Sequence, residues 1–349
     1  MEQWRAYIIC CSLLLTACEQ GTEELDGQVE PRFAPMIERI SDGTVGNLHG
    51  LVVWQRGVTR LEYYGSAPGM AGFQPASMIQ GAADKHFNLH SATKLVAALL
   101  TFIAVDEGRI ASLDEPIRNY LPSLPQQPTR WQKITFRHAL EMTTGLALDE
   151  AALPKQHINN DWNRMNQSED VLAFIYQQPF KSAPGSEYRY SGSGTILIAA
   201  ALAEIYGSEY PLLAKEKLFS PLDISSQRWL RFQNGAMVSS DAGLQLTVID
   251  MVKLGQLLLQ KGEWNEHPLI QPHWIESAMA LDENNEARSL LHTKIEDVQD
   301  GRLVIHGDGE QYIWVLPQQQ AVLVSAAGNY RGEEQVYNLL NAIPELLND

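Results

Sequence analysis

A continuous apolar run just after Ser91-Ala92-Thr93-Lys94 constrains the fold of this chain more than any other feature. Residues 95–105 are almost entirely apolar, and the run ends at Asp106-Glu107-Gly108, which places glycine at the usual C′ position of a helix. A helix that is apolar on all sides belongs in a protein interior. The sequence therefore predicts a helix at the centre of the fold, with Ser91 and Lys94 at its N-terminus.

Ser91 and Lys94 form a Ser-x-x-Lys pair. Residues three apart share one face of a helix, so the hydroxyl and the amine can meet without help from the rest of the fold. Burial in an apolar helix is expected to lower the pKa of Lys94 and make the amine a base for a serine nucleophile. The alternative is a helix-capping serine beside a solvated lysine.

Composition limits the partners and cofactors. The 349 residues are 45% hydrophobic, which is typical of a globular protein, and carry a formal net charge of −16. That charge argues against a nucleic acid or an anionic membrane surface as a partner. The cysteines are Cys10, Cys11 and Cys18, so the folded body has neither a disulfide framework nor a cysteine metal site. No His-Glu-x-x-His occurs, and we expect no metal or organic cofactor.

The N-terminus is typical of an exported lipoprotein. Arg5 is the one basic residue before an apolar run that is too short to span a bilayer. Leu15-Thr16-Ala17-Cys18 resembles a bacterial lipoprotein processing box, which implies removal of residues 1–17 and a lipid anchor at Cys18. Glu19 follows the cysteine, which favours the periplasmic face of the outer membrane if the cell has one. The alternative is an ordinary signal peptide with an incidental cysteine.

Strand and helix patterns divide the rest of the chain. Residues 18–32 are acidic and polar and predict a flexible tether. For residues 33–349 we predict one α+β domain, with an antiparallel sheet built from both chain ends, flanked by helices, and an inserted helical lobe. The sheet lobe would contain residues 33–80 and 225–349, and the mainly helical lobe residues 81–224. The cleft between the lobes is the expected site.

Three stretches of the sequence predict local structure. The stretch 65–81 is rich in glycine, proline and serine and predicts a loop. The stretch 134–146 predicts a helix closed by Gly145. Thr247 is predicted to cap a helix that runs to about Gln260.

Further motifs are spread over most of the chain. They are Gly108-Arg109-Ile110, Leu113-Asp114-Glu115-Pro116-Ile117, Tyr120-Leu121-Pro122, Pro184-Gly185-Ser186, Tyr190-Ser191 and Leu254-Gly255-Gln256-Leu257-Leu258-Leu259. With these and its Ser-x-x-Lys, the chain resembles the serine hydrolase superfamily of penicillin-binding proteins, class C β-lactamases and related esterases and amidases. Its resemblance is closest to 6-aminohexanoate-dimer-hydrolase-like members. The resemblance implies a β-lactamase/transpeptidase-like fold and an acyl-enzyme on Ser91.

The superfamily's Tyr-x-Asn element is matched in part by Tyr190-Ser191-Gly192. The resemblance implies that Tyr190 shares the catalytic proton with Lys94, with Tyr188 as the substitute if the register differs. Gly192 lacks the side-chain amide that asparagine would offer to a substrate carbonyl. The alternative is that both tyrosines only fill space.

Ile305-His306-Gly307 is the best match to the superfamily's Lys-Thr-Gly element. The resemblance implies an oxyanion hole made of the N–H groups of Ser91 and Asp308, with Gly307 allowing a close backbone approach and His306 as a strand-end or substrate-contacting residue. Ile305 replaces the lysine that would meet the carboxylate of a β-lactam, so efficient β-lactam hydrolysis is not expected. The alternative is a glycine-rich hairpin turn.

The sequence thus predicts a cell-envelope serine hydrolase that cleaves a small-molecule ester or amide. Ser91, Lys94 and Tyr190 are the predicted catalytic residues. No serine lies in the Gly-x-Ser-x-Gly motif of a rival hydrolase architecture. Two alternatives stay open: a catalytically degenerate envelope binding or scaffold protein, and a β-lactamase or D-Ala-D-Ala peptidase-like activity. The choice between ester and amide, and the oligomeric state, also stay open.

Overall fold

The structure is a computed structural model that describes residues 30–71, 74–122, 129–155, 157–233, 235–279, 290–291, 301–330 and 334–348. The predicted signal peptide, Cys18 and the predicted tether as far as residue 29 lie outside the described residues. At the end of that tether, Glu30 already contacts the folded body, because its carboxylate accepts a hydrogen bond of 2.9 Å from Nη1 of Arg60.

Strands and helices occur in separate runs along the chain, which is an α+β pattern. The strands are β1 (Leu48–Gln55), β2 (Val58–Tyr64), β3 (Ser66–Ala71), β4 (Gln74–Gln80), β5 (Phe87–Asn88), β6 (Arg228–Trp229), β7 (Leu244–Leu246), β8 (Glu263–Trp264), β9 (His267–Pro268), β10 (Leu303–Gly307), β11 (Gln311–Leu316) and β12 (Ala321–Ala327). The helices are α1 (Ala34–Ser41), α2 (Lys94–Asp106), α3 (Phe136–Leu140), α4 (Asp161–Asn166), α5 (Val171–Tyr176), α6 (Ser193–Tyr206), α7 (Tyr210–Ala214), α8 (Val248–Leu259), α9 (Pro272–Met279) and α10 (Gln335–Leu346).

The main sheet is antiparallel, with the strand order β10-β11-β12-β1-β2. Strands from the two chain ends meet at its middle, where Val52 of β1 lies opposite Val324 of β12. A tight turn joins β1 to β2, and Arg56 and Gly57 in it have φ values of 48° and 86°, as a two-residue hairpin turn requires. This topology confirms the prediction of an antiparallel sheet built from both chain ends.

Both faces of the main sheet are buried over β1, β10, β11 and β12, because alternate side chains of these strands enter different cores. Val52, Ile313 and Val324 pack into the larger core, which also contains the central helices. Leu51 and Trp314 pack into a second core that contains the apolar faces of α1 and α10. Strands covered on both sides need apolar residues at nearly every position, as β10, β11 and β12 have.

Helix α2 lies inside the larger core, as the apolar run predicted. Its residues from Lys94 to Ala104 are all buried. Helix α6 packs against it and is buried from Ser193 to Leu202. The position of α2 therefore holds Ser91, which lies just before the helix and is half-buried, against the larger core.

Two local predictions were wrong. The stretch 65–81 is not a loop, because β3 and β4 pair with each other as an antiparallel hairpin. The helix expected over 134–146 is limited to α3, since Met142 adopts a φ of 54° and the chain leaves the helix before Gly145. The Thr247 prediction is confirmed, because Oγ1 of that residue accepts a hydrogen bond of 3.1 Å from the Asp250 N–H at the start of α8.

In the part of the chain that the structure describes, no single helix is long and apolar enough to cross a bilayer. Two successive helices, Ser193–Tyr206 and Tyr210–Phe219, are together long and apolar enough to cross a bilayer, by length and composition alone, but they are bent by 79° relative to each other. Most of its first half is buried in the larger core.

Candidate active site

Ser91 lies in a 3-10 turn, His90–Thr93, that runs directly into α2. The sequence predicted that Ser91 and Lys94 both lie at the N-terminus of the helix. In the structure the α-helix begins at Lys94, and Ser91 lies in the turn before it. Because turn and helix are continuous, the two side chains still face each other, and Nζ of Lys94 donates a hydrogen bond of 3.3 Å to Oγ of Ser91. His90, with a φ of 48°, turns the chain sharply just before the serine.

Tyr190 reaches the same hydroxyl from a distant part of the chain. Its phenol donates a hydrogen bond of 2.8 Å to Oγ of Ser91, and the centroid of its ring lies 5.4 Å from Nζ of Lys94. Tyr190 is held in the segment just before α6, whereas the other candidate, Tyr188, has a side chain that is 53% exposed. The structure thus brings Ser91, Lys94 and Tyr190 together.

Lys94 is charged in this site, which corrects the expectation of a lowered pKa. The residue is only 1% exposed, and its Nζ also donates a hydrogen bond of 3.0 Å to the carbonyl oxygen of Asp241. Burial disfavours the ammonium form, but the interactions with Tyr190, Asp241 and Glu150 outweigh burial and raise the pKa of Lys94. The amine therefore acts here as a fixed positive charge beside the hydroxyl.

Glu150 is a buried carboxyl that holds the tyrosine segment in place. Its backbone N–H donates a hydrogen bond of 2.8 Å to the carbonyl oxygen of Tyr190. Its Oε1 accepts a hydrogen bond of 2.5 Å from the N–H of Gly192. Burial raises the pKa of Glu150 to about 7; the nearby Lys94 ammonium opposes this shift, and Asp241 adds to it. Glu150 therefore changes its charge near neutral pH, next to the catalytic candidates.

The end of β10 packs against the turn that carries Ser91. A Cβ atom at Gly307 would collide with the carbonyl oxygen of Leu89, so only glycine permits this approach. Asp308 comes next and lines the same cavity as Ser91. Ile305, at the position of the missing lysine, is buried in the larger core. His306 stacks on Tyr312, with ring centroids 5.0 Å apart.

A cavity of about 450 Å³ opens beside the hydroxyl of Ser91. Lys155 and Asp308 form an ion pair in its wall. Although burial opposes ionisation, the Lys155 ammonium holds the pKa of Asp308 below its usual value. The other lining residues are mostly apolar, aromatic or neutral polar, and include His49, Ile79, Phe87, Asn88, Trp162, Leu230, Ala242, Gln245, Gln311, Ala327 and Tyr330. This chamber has the size and mixed lining of a small-molecule site.

The family assignment follows from comparison with known proteins. The profile of the family described as Beta-lactamase matches residues 43–339, which contain every element of the site described above. The chain belongs to the beta-lactamase family. This family consists of serine hydrolases related to peptidases, amidases and esterases, and its fold is the one predicted from the motifs.

Relatives within the beta-lactamase family carry several names. The 6-aminohexanoate-dimer hydrolase of Paenarthrobacter ureafaciens is 21% identical over 284 residues, which cover 75% of this chain and 68% of that enzyme. The D-alanyl-D-alanine-carboxypeptidase/endopeptidase AmpH of Escherichia coli K12 is 25% identical over 202 residues, which cover 55% of this chain. That alignment spans only about half of AmpH (49%).

A solved structure supports the same fold. A Bacillus anthracis protein described as a 6-aminohexanoate-dimer hydrolase superimposes with a TM-score of 0.72 at 18% identity, covering 89% of this chain and 81% of that one. At this level of identity, the likeness establishes the beta-lactamase-type fold alone. It bears out the prediction of an antiparallel sheet with inserted helices.

Sequence reasoning missed the two buried acids beside Lys94. Neither Glu150 nor Asp241 lies in a motif that the family resemblance marks. Their contacts with Lys94 and Gly192 join segments that are far apart in the chain. A single sequence carries no local signal for such an encounter, since an acidic residue in a loop is normally solvated.

Proposed function

We propose that this protein is a serine hydrolase that cleaves an ester or an amide bond through an acyl-enzyme on Ser91. The observation that carries the proposal is the contact of one hydroxyl, Oγ of Ser91, with both the Tyr190 phenol at 2.8 Å and the Lys94 amine at 3.3 Å. A serine is a weak nucleophile until a neighbouring group takes its proton.

The proposed reaction has two halves. The phenol of Tyr190 first loses its proton to solvent, and the Lys94 ammonium balances the charge of the phenolate. Oγ of Ser91 then attacks the substrate carbonyl while its own proton passes to that phenolate. The tetrahedral oxyanion is held by the N–H groups of Ser91 and Asp308. Tyr190 then protonates the leaving alcohol or amine, and the carbonyl–leaving-group bond breaks. In the second half, water attacks the acyl-enzyme and gives its proton to Tyr190. The bond between the acyl carbon and Oγ of Ser91 then breaks, the acid leaves, and Tyr190 returns that proton to Oγ.

The substrate is proposed as a small ester or amide other than a β-lactam. Ile305 is buried and uncharged, so the strand beside the site offers no lysine to a β-lactam carboxylate. Peptide-like amides are the second candidate, which the likeness to AmpH favours. The proposed location is the cell envelope, with a lipid anchor at Cys18. Incorporation of a labelled fatty acid that disappears in Cys18→Ser would support the anchor; equal labelling of both forms would exclude it.

A fluorophosphonate probe tests the nucleophile. Labelling of the wild-type protein and none of Ser91→Ala is the expected result. Ser277→Ala is the matched control, because Ser277 is exposed on α9 and its hydroxyl donates a hydrogen bond to the carbonyl oxygen of His273. Equal labelling of wild type and Ser91→Ala would remove Ser91 from the mechanism, and absence of labelling in the wild type would favour a binding or scaffold role.

The bond type is tested by running a chromogenic cephalosporin beside a short-chain p-nitrophenyl ester. Turnover of the ester with little turnover of the cephalosporin is the expected result. Fast cephalosporin hydrolysis would contradict the argument from Ile305.

A further inference from the structure

The space above Gly192 is already occupied by another side chain. A Cβ atom at this position would lie 2.6 Å from Oδ2, 2.8 Å from Cβ and 3.0 Å from Cγ of Asp241. Contacts this short do not occur between real Cβ atoms and their neighbours, so a side chain at position 192 would displace the Asp241 carboxyl. The glycine in Tyr190-Ser191-Gly192 and the aspartate are thus two parts of one local arrangement.

Asp241 also contacts the catalytic candidates through its backbone. Its carbonyl oxygen accepts the hydrogen bond of 3.0 Å from Nζ of Lys94, and its side chain is fully buried. Oδ1 accepts a hydrogen bond of 2.9 Å from Oγ of Ser239, whereas Oδ2 has no hydrogen-bond partner among the described residues. A buried carboxylate oxygen without a partner is costly and is retained only where its charge is compensated nearby.

The compensating charge is Lys94. Asp241 and Glu150 are two buried acids around a single buried amine, and both favour the ammonium form of Lys94. The charge of Asp241 therefore acts on the amine that contacts Ser91, while its volume fills the place of the absent side chain at position 192.

We propose that Asp241 is the positioning residue that takes over the place of the asparagine missing from the Tyr-x-Asn element. This inference rests on the proposed function. An amide at the third position could donate a hydrogen bond to a substrate carbonyl, but an ionised carboxylate only accepts. Asp241 therefore acts through Lys94, which it keeps charged and directed at the hydroxyl of Ser91, and not through contact with the substrate.

Asp241→Asn tests the charge without changing the shape. The readout is the rate of fluorophosphonate labelling of Ser91 between pH 5 and pH 10. We expect the maximum rate to fall about tenfold or more, because the amine is held less firmly. The whole pH profile should also move to lower pH, because removal of a negative charge makes protons in the site easier to lose.

The matched control is Asp250→Asn, which changes a buried acid that pairs with Lys253 at the start of α8, away from the cavity. Its labelling rate and pH profile should match those of the wild type. A purely structural role of Asp241 would lower the melting temperature without moving the profile. An unchanged rate and profile in a folded Asp241→Asn would overturn the inference while wild-type labelling at Ser91 still upheld the proposed function.

An exchange of side chains tests the volume. Gly192→Asn should lose most of its labelling and lower the melting temperature, because its side chain meets the Asp241 carboxyl. The double variant Gly192→Asn/Asp241→Gly vacates that space and should label at least about tenfold faster than Gly192→Asn alone, a clear departure from additivity. Additive effects in this cycle would also overturn the inference.

If Asp241→Asn does not fold, Gly192→Ala is measured in its place. The added methyl group displaces the Asp241 carboxyl but keeps its charge, and the same fall in labelling rate is expected.

Discussion

The variant Lys94→Met tests two effects of the buried Lys94 amine: its contribution to stability and its contribution to the reactivity of Ser91. Methionine keeps the length and the apolar stem of the side chain but removes the charge, which leaves Glu150 and Asp241 buried without a cation. Removal of one partner from a buried ion pair typically costs about 3–5 kcal/mol. Labelling by the fluorophosphonate should disappear as well, since Ser91 loses its neighbouring charge.

The size of the stability loss should depend on pH. In the wild type, the pKa of Glu150 is raised from 4.5 in the unfolded chain to about 7, so the folded form binds the proton more tightly. A raised carboxyl pKa means that stability falls as pH rises through this window, here by about 3 kcal/mol for this group alone. Lys94 opposes the shift. Its removal therefore extends the fall to higher pH, and the loss in Lys94→Met should be smaller at pH 5, where Glu150 is protonated in both proteins, than at pH 8.

Urea unfolding of both proteins at pH 5 and pH 8 measures this difference. The matched control is Lys217→Met, which breaks a partly exposed ion pair with Glu107 and should change stability by less than about 1 kcal/mol at either pH. An equal loss for Lys94→Met at the two pH values would refute the reasoning, because it would show that Glu150 does not take up a proton in response to the missing charge.

Three further predictions concern the site and its scaffold. Tyr190→Phe should lower the rate of ester hydrolysis by about 100-fold or more with little change in melting temperature, and near-normal turnover would exclude the phenol as the proton carrier. Gly307→Ala should lower the labelling rate, and it should lower the free energy of unfolding by about 1–3 kcal/mol, because the added Cβ meets the carbonyl oxygen of Leu89. Unchanged labelling and stability would argue against the close approach of β10 to the turn that carries Ser91. Thr247→Ala should cost about 1 kcal/mol in urea unfolding by removing the cap on the Asp250 N–H, with labelling unchanged, and a loss of labelling would count against a purely structural cap.

The features that could be predicted from the sequence depend on residues that lie close together in the chain. The meeting of Ser91 with Lys94 follows from three residues of helical geometry, and the burial of α2 follows from its apolar composition. The sheet strands β11 and β12 were visible because they are covered on both faces. Tyr190 was assigned from the motif resemblance, and the structure places it beside Ser91.

The parts that sequence reasoning missed depend on encounters between distant segments. Burial alone predicted a lowered pKa for Lys94, and the direction was reversed by Glu150 and Asp241, whose positions only the folded chain reveals. The hairpin of β3 and β4 was taken for a loop because glycine and proline obscured the strand pattern.

The interior position of β1 in the main sheet has a consequence for biosynthesis. Its two neighbours are β2, which follows at once, and β12, which lies close to the C-terminal end of the sequence. One edge of β1 therefore stays without its partner until Ala321–Ala327 has left the ribosome, and pairing across such a separation is slow. We expect hydrolytic competence to arise only after β12 has been synthesised and has paired with β1, although Ser91 and Lys94 are made much earlier.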